Sequence, residues 1–153
     1  MAESDFRFTT QIGALPKTVF EIVADLPNYG KWLPHSDAFA GMHNVTPYPV
    51  RVGTTYLEAP PIEKPGVVTE FDPPSHIGFH QIAKIRRPIN VDVDARIRYS
   101  FEPRNGGTSV IRELRLTWDL PGLFKIATPL LILGFRRENL RTLAQLKRYA
   151  ESQ

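Results

Sequence analysis

The chain contains no cysteine. That excludes a disulfide framework, a thiolate metal site and a thiol nucleophile. It also lacks a long uninterrupted apolar run. The stretch from Leu120 to Phe135 is too short for a membrane span and is broken by Lys125 and Pro129. The opening residues, Met1 to Arg7, have no apolar core of the kind a secretory signal requires, which predicts an intracellular, cytoplasmic protein. Neither charge sign dominates: 19 Lys and Arg against 16 Asp and Glu leave a net charge of +3. The four histidines fall in no HxH or HExxH spacing, so no metal site is expected, and no cofactor. There is no Gly-x-Ser-x-Gly elbow for a Ser-His-Asp triad and no glycine-rich loop between a strand and a helix to cradle phosphate.

What is present suits one globular domain covering residues 1–153. A hydrophobic fraction of 42% and a charged fraction of 23% are ordinary. A chain of this length buries about two thirds of its unfolded surface on folding. Fourteen prolines punctuate the chain and do not gather into a linker.

Taken in order, Phe6, Phe8 and Thr10 alternate with Arg7, Thr9 and Gln11, which predicts a strand with one buried face. Pro16 stands where the first residue of a helix would be, followed by Val19, Phe20, Val23 and Ala24 on one side. A further short helical turn covers Asn28 to Leu33. From there the pattern is strand and turn. A weak strand is expected around 37–44, a proline-rich loop from Thr46 to Pro49, then strands over 53–59, 66–71, 75–85, 89–102 and 108–120. The last two are joined by a tight Asn105-Gly106-Gly107 hairpin. Their parities are clear. Val91, Val93, Ala95, Ile97, Tyr99 and Phe101 share one face, with Asp92, Asp94, Arg96, Arg98 and Glu102 on the other. Ile77, Phe79, Gln81, Ala83 and Ile85 point inward by the same count.

From Ile132 the apolar residues Ile132, Phe135, Leu140, Leu143, Leu146 and Ala150 suit one side of a long closing helix. Pro129 and Gly134 mark where it kinks or begins. The basic cluster Arg136, Arg137, Arg141, Lys147 and Arg148 suits an anionic ligand or a membrane surface. The expected reading is a solvated helix face, with no membrane contact. The mixed charges of the outer sheet face argue against nucleic-acid binding.

The order β-αα-β6-α predicts an α+β fold: a curved antiparallel sheet of about seven strands wrapped around one long helix. The stretch from Leu15 to Pro34, Val52 to Tyr56, Val68 to Pro74, the Gly106-Gly107-Thr108 hairpin and the closing helix resemble the polyketide cyclase/dehydrase and lipid-transport family, within the START-like (SRPBCC) helix-grip superfamily. The resemblance runs nearly the length of the chain and is specific for fold. It implies a deep cavity between sheet and helix that holds a hydrophobic or aromatic small molecule. Two activities follow as expectations: a cyclase/dehydratase-like biosynthetic protein, or a non-catalytic carrier or sensor of a lipid, quinone or isoprenoid.

Polar residues facing such a cavity are the ones to weigh. Arg112 lies on the apolar parity between Val110 and Leu114, where a guanidinium needs an anionic or carbonyl partner or must reach the rim. Gln81 and Tyr99 share that inward parity and can hydrogen-bond a carbonyl. Tyr56 and Glu58 share one face of a short strand whose direction the pattern leaves open. Turned inward, Glu58 would serve as general acid or base; turned outward, both are surface residues. His35, with Asp37 two residues on, follows the helical turn near the expected cavity mouth and is a candidate proton-transfer pair. Trp32 in that turn and Trp118 on the inward strand face complete the ligand-binding candidates, together with Leu130, Leu133 and Phe135 of the closing segment. Residues 123–133 are expected to form a lid, and 135–146 the rear wall.

Overall fold

The computed structural model describes residues 2–36 and 39–153. Seven strands make one sheet: β1 (Ala2–Ile12), β2 (Met42–Thr46), β3 (Thr55–Glu58), β4 (Lys64–Asp72), β5 (His76–Ile85), β6 (Val91–Arg104) and β7 (Gly107–Trp118). All neighbours pair antiparallel, in the order β1-β7-β6-β5-β4-β3-β2. Helix α1 (Pro16–Ala24) runs into a 3-10 turn at Leu26–Lys31, and a second such turn, Gly122–Ala127, leads into α2 (Thr128–Glu151). The result is the α+β helix-grip architecture, a curved sheet closed on its concave side by α2, α1 and the turn that follows it.

The alternation in β6 produces this layering directly. Val91, Val93, Ala95, Ile97, Tyr99 and Phe101 are buried, whereas Asp92, Arg96, Arg98 and Glu102 are exposed. On the outer face, cross-strand pairs hold the register: Arg98 with Glu70 at 2.8 Å, His80 with Asp94 at 2.8 Å and Arg115 with Asp5 at 3.0 Å. Exposed pairs of this kind contribute about 0–1 kcal/mol each, so the inner face supplies most of the stability.

The β6–β7 hairpin turns through Asn105 and Gly106, at φ 51° and 78°. Positive φ at both central residues is the twist that a two-residue hairpin requires. Gly107 is needed for another reason: a Cβ there would stand 2.4 Å from the Ile12 carbonyl oxygen, where β7 begins beside the end of β1.

Pro16 lies in the first turn of α1, where a missing N–H costs nothing. Val19, Phe20 and Val23 are its buried side. Phe20 meets Phe71 and Phe101 edge-on, at 5.4 and 5.6 Å between ring centroids, and so fixes α1 to the sheet.

Three expectations are corrected. The second strand is Met42–Thr46, later than the weak strand expected over 37–44, because Thr46 pairs with Thr55 and extends the ladder into the presumed loop. Residues 37 and 38 lie outside the described residues. The closing helix begins at Thr128 with Pro129 in its first turn, one of the two expected places, and it neither begins nor breaks at Gly134, the other. Leu140, expected on the buried side, is exposed, and Asn139 and Thr142 take that side. At about 100° per residue, Leu140 stands roughly 140° round the helix from Phe135, whereas Asn139 and Thr142 return to the same face.

Candidate functional site

A cavity of about 860 Å³ opens between the concave face of the sheet and α2. Its wall is mostly apolar, with Leu26, Phe79, Val91, Ile97, Leu114 and Leu116 among the contributors. Three polar groupings interrupt it.

The first is an arginine without a carboxylate partner. Arg112 projects from β7, donates through Nε to Asn139 Oδ1 of α2 at 2.6 Å, and donates to the Tyr99 hydroxyl of β6. Its guanidinium carbon lies 4.9 Å from the centre of the Tyr99 ring. Asn139 is itself oriented by donating from Nδ2 to the Phe135 carbonyl at 2.7 Å. Both partners of Arg112 are neutral, and among the described residues no carboxylate forms an ion pair with it. The positive charge is therefore positioned but not neutralised.

The second grouping settles the parity of β3. Tyr56 and Glu58 both face the cavity, opposite Gly66 and Lys64 of β4. Glu58 and Lys64 form a buried ion pair at 2.8 Å. The Tyr56 ring crosses β4 over Gly66, where a Cβ would come within 2.3 Å of the phenol carbon Cζ, and its hydroxyl donates to Gln81 Oε1 at 2.8 Å. Phe79 stands between two of the cavity phenols, edge-on to Tyr56 at 6.0 Å and to Tyr99 at 6.4 Å.

The third grouping ties α2 to the chain that follows the first helical pair. Glu138 accepts from Ser36 Oγ at 3.3 Å and from Arg141 at 2.7 Å, and Arg141 also donates to the Pro34 carbonyl.

Burial pushes the pKa of Tyr29, Tyr56 and Tyr99 upward. For Tyr56 the negative charge of Glu58 adds to the effect, while Arg112 opposes it at both Tyr56 and Tyr99 without prevailing. These phenols are hydrogen-bond donors at neutral pH. Tyr29 donates to the Val23 carbonyl at 2.6 Å and Tyr56 to Gln81. Tyr99 accepts from Arg112, which leaves its own proton to be given to an acceptor in the cavity.

The structure thus gathers Tyr56, Glu58, Gln81, Tyr99 and Arg112 of the sheet and Leu130 and Phe135 of α2 around one cavity. Other candidates stand apart from it. His35 is exposed and does not line the cavity, and its suggested partner Asp37 lies outside the described residues. Trp32 is buried against Tyr29, 4.9 Å between ring centres, and Trp118 is packed into the core at the last pairings of β7 with β6 and β1. Neither indole reaches the cavity. Leu133 faces solvent, because the first turns of α2 reach the wall through Leu130, Leu131, Gly134 and Phe135, and Leu133 falls between those positions. The wall also ends earlier than expected: Leu143 and Leu146 belong to the closed core.

Lys64 and Asn139, like Ser36 and Glu138, escaped the sequence reading. Lys64 shares parity with Val68 and pairs with Glu58, so alternation carried a signal for it. Asn139 lies four residues after Phe135, one turn along the same helix face. Among the described residues, no group of three or more His, Asp or Glu side chains is placed to hold a metal ion.

A model of the family described as polyketide cyclase / dehydrase and lipid transport matches residues 4–151, and the chain belongs to that family. Among solved structures it is similar to the di-domain ARO/CYC BexL from the BE-7585A biosynthetic pathway, with a TM-score of 0.76 at 17% identity over 99% of this chain and 51% of that one. It is also similar to the di-domain ARO/CYC StfQ from the steffimycin biosynthetic pathway, with a TM-score of 0.75 at 14% identity over 98% of this chain and 51% of that one. Ara h 8.0201 is similar as well, with a TM-score of 0.70 at 10% identity over 99% of this chain and 100% of that one. The chain therefore spans about half the length of the two di-domain relatives, and these likenesses establish the fold. No curated protein matches it in sequence.

Proposed function

We propose that the protein binds a folded, carbonyl-bearing aromatic or polyketide-like molecule in this cavity and assists its cyclisation and dehydration. The observation that carries the reading is Arg112: a fixed cation without a carboxylate partner, flanked by the Tyr99 hydroxyl, in a mostly apolar cavity. That pair suits a carbonyl oxygen that gains negative charge as its neighbouring carbon is deprotonated. In such a step an enolic carbon, having given a proton to a base, bonds to a carbonyl carbon of the same molecule; the oxygen takes up two protons and leaves as water, while the adjacent carbon loses a hydrogen and the C=C bond forms. Cavity shape would supply most of the acceleration, by holding the two carbons together. Glu58 with Lys64, and Tyr56 with Gln81, are the proton-transfer candidates inside the cavity. His35 would have to act from outside the wall.

The two di-domain relatives come from biosynthetic pathways, and this supports the reading. The test pairs binding with turnover. Fluorescence quenching by a hydroxyanthraquinone should report a complex that Arg112→Met weakens, and an acyclic poly-β-ketone should give aromatic absorbance faster with protein than without. Binding without turnover would favour carriage of a lipid, quinone or isoprenoid. That second reading draws support from the exposed apolar flank beside the cavity. No binding of either class would sink both.

A further inference from the structure

Residues 123–133 were expected to turn their apolar side inward as a lid. They are apolar on two sides. Leu131, Ile132 and Phe135 pack against the core, and Ala127, Leu130 and Leu131 line the cavity. Leu123, Ile126 and Leu130 nevertheless keep 88%, 82% and 72% of their surface exposed, with Phe124 and Leu133 exposed beside them. The spacing 123, 126, 130, 133 is that of a single helical stripe, so these side chains form one patch. Scattered apolar residues on a surface are ordinary, but a contiguous stripe marks an interaction site.

The charges around the patch identify the partner. From residue 120 to 137 there is no Asp or Glu, and the only charged residues are Lys125, Arg136 and Arg137. All three are exposed. Pairing this stripe with a second copy of the chain would bring two such sets of cations together, with no acid from the segment to offset them. An anionic lipid surface supplies both complements, acyl chain for the leucines and headgroup for the cations. No helix among the described residues is long and apolar enough to cross a membrane, so the segment would lie in the interface.

We propose that the 3-10 turn Gly122–Ala127 and the first turns of α2 dock the protein on an anionic bilayer, with Leu123, Phe124, Ile126 and Leu130 entering the acyl boundary. The inner side of the same segment is cavity wall, so docking sets the cavity beside the lipid. A hydrophobic ligand then has a short path between the two.

The experiment uses the full chain without added ligand, sedimented with vesicles of phosphatidylcholine alone or with roughly one quarter phosphatidylglycerol. Partition onto the anionic vesicles should be about tenfold or more stronger than onto the neutral ones and should weaken with added salt. The double variant Leu123→Ser/Ile126→Ser, which alters no cavity-lining residue, should lose about tenfold or more of that partition. Its thermal midpoint should not move, because both side chains are exposed in the folded protein. Absence of partition onto anionic vesicles, equal partition of the double variant, or a dimer in light scattering that the double variant splits would each overturn the proposal. The cavity reading survives any of these, since binding of the hydroxyanthraquinone is measured without lipid.

Discussion

Arg112 Nε donates to Asn139 Oδ1 at 2.6 Å and thereby joins the middle of β7 to α2 across one side of the cavity. The bond does two things at once. It closes sheet and helix around the cavity, and it holds the guanidinium in one orientation. Asn139→Leu removes the acceptor and leaves a part-buried charge underbonded, at an expected cost of about 1–3 kcal/mol in urea unfolding. Ligand affinity should fall as well, since the guanidinium loses its orientation. A variant that binds as tightly as the parent would show that Arg112 does not touch the ligand.

Lys64 and Glu58 are both buried and 2.8 Å apart, so the pair should respond asymmetrically to mutation. Lys64→Met leaves a buried carboxylate without its cation and should cost about 3–5 kcal/mol. Replacing both, Glu58→Leu with Lys64→Met, should recover most of that loss. A double-mutant cycle by chemical unfolding measures the difference, and simple additivity would mean the two groups are not coupled.

Gly66 is the floor on which Tyr56 lies. A methyl group there would be placed 2.3 Å from the Tyr56 ring carbon Cζ, and so Gly66→Ala should displace the ring and break its bond to Gln81. Overpacking of this kind costs about 1–3 kcal/mol. Tyr56→Phe loses the same hydrogen bond without the clash and should cost less. Comparing their thermal midpoints separates the two effects.

Gly134 offers the opposite experiment. It lies on the cavity wall of α2, and a Cβ there would meet nothing within 4 Å. Gly134→Ala should stabilise the helix by about 0.5–1 kcal/mol. Gly134→Phe should fill part of the cavity and lower affinity for the hydroxyanthraquinone while the fold is kept. Full affinity in the Phe variant would place the ligand elsewhere.

The buried phenols set a pH dependence. Tyr29, Tyr56 and Tyr99 have folded pKa values raised above that of an unfolded tyrosine, about 10. The folded protein therefore holds these protons more tightly than the unfolded chain. The stability linked to them is complete below about pH 10 and is lost as the pH rises above it. Alkaline difference absorbance should show these three tyrosines ionising together with unfolding. Early titration of all five tyrosines in the native protein would contradict their burial.

The succession of elements along the chain, the first helix behind Pro16, the Asn105-Gly106 hairpin and the inward parity of Gln81, Tyr99 and Arg112 were all legible in the sequence. Alternation and turn chemistry are local, and in strands as long as β5, β6 and β7 each residue reinforces the parity of the next. That support fails in β3, where four residues carry too few alternations to show whether Tyr56 and Glu58 face inward. Pairing with Gly66 and Lys64 of β4 decided it, by giving the ring a place to lie and the carboxylate a cation. The closing segment shows the same division. Its sequence determined that residues 120–137 are largely apolar, free of acids, and charged only at Lys125, Arg136 and Arg137. Only the tertiary structure decided which of them meet the core, which the cavity and which the solvent, because a helix that is apolar on more than one side carries no pattern to say which side its neighbours will cover.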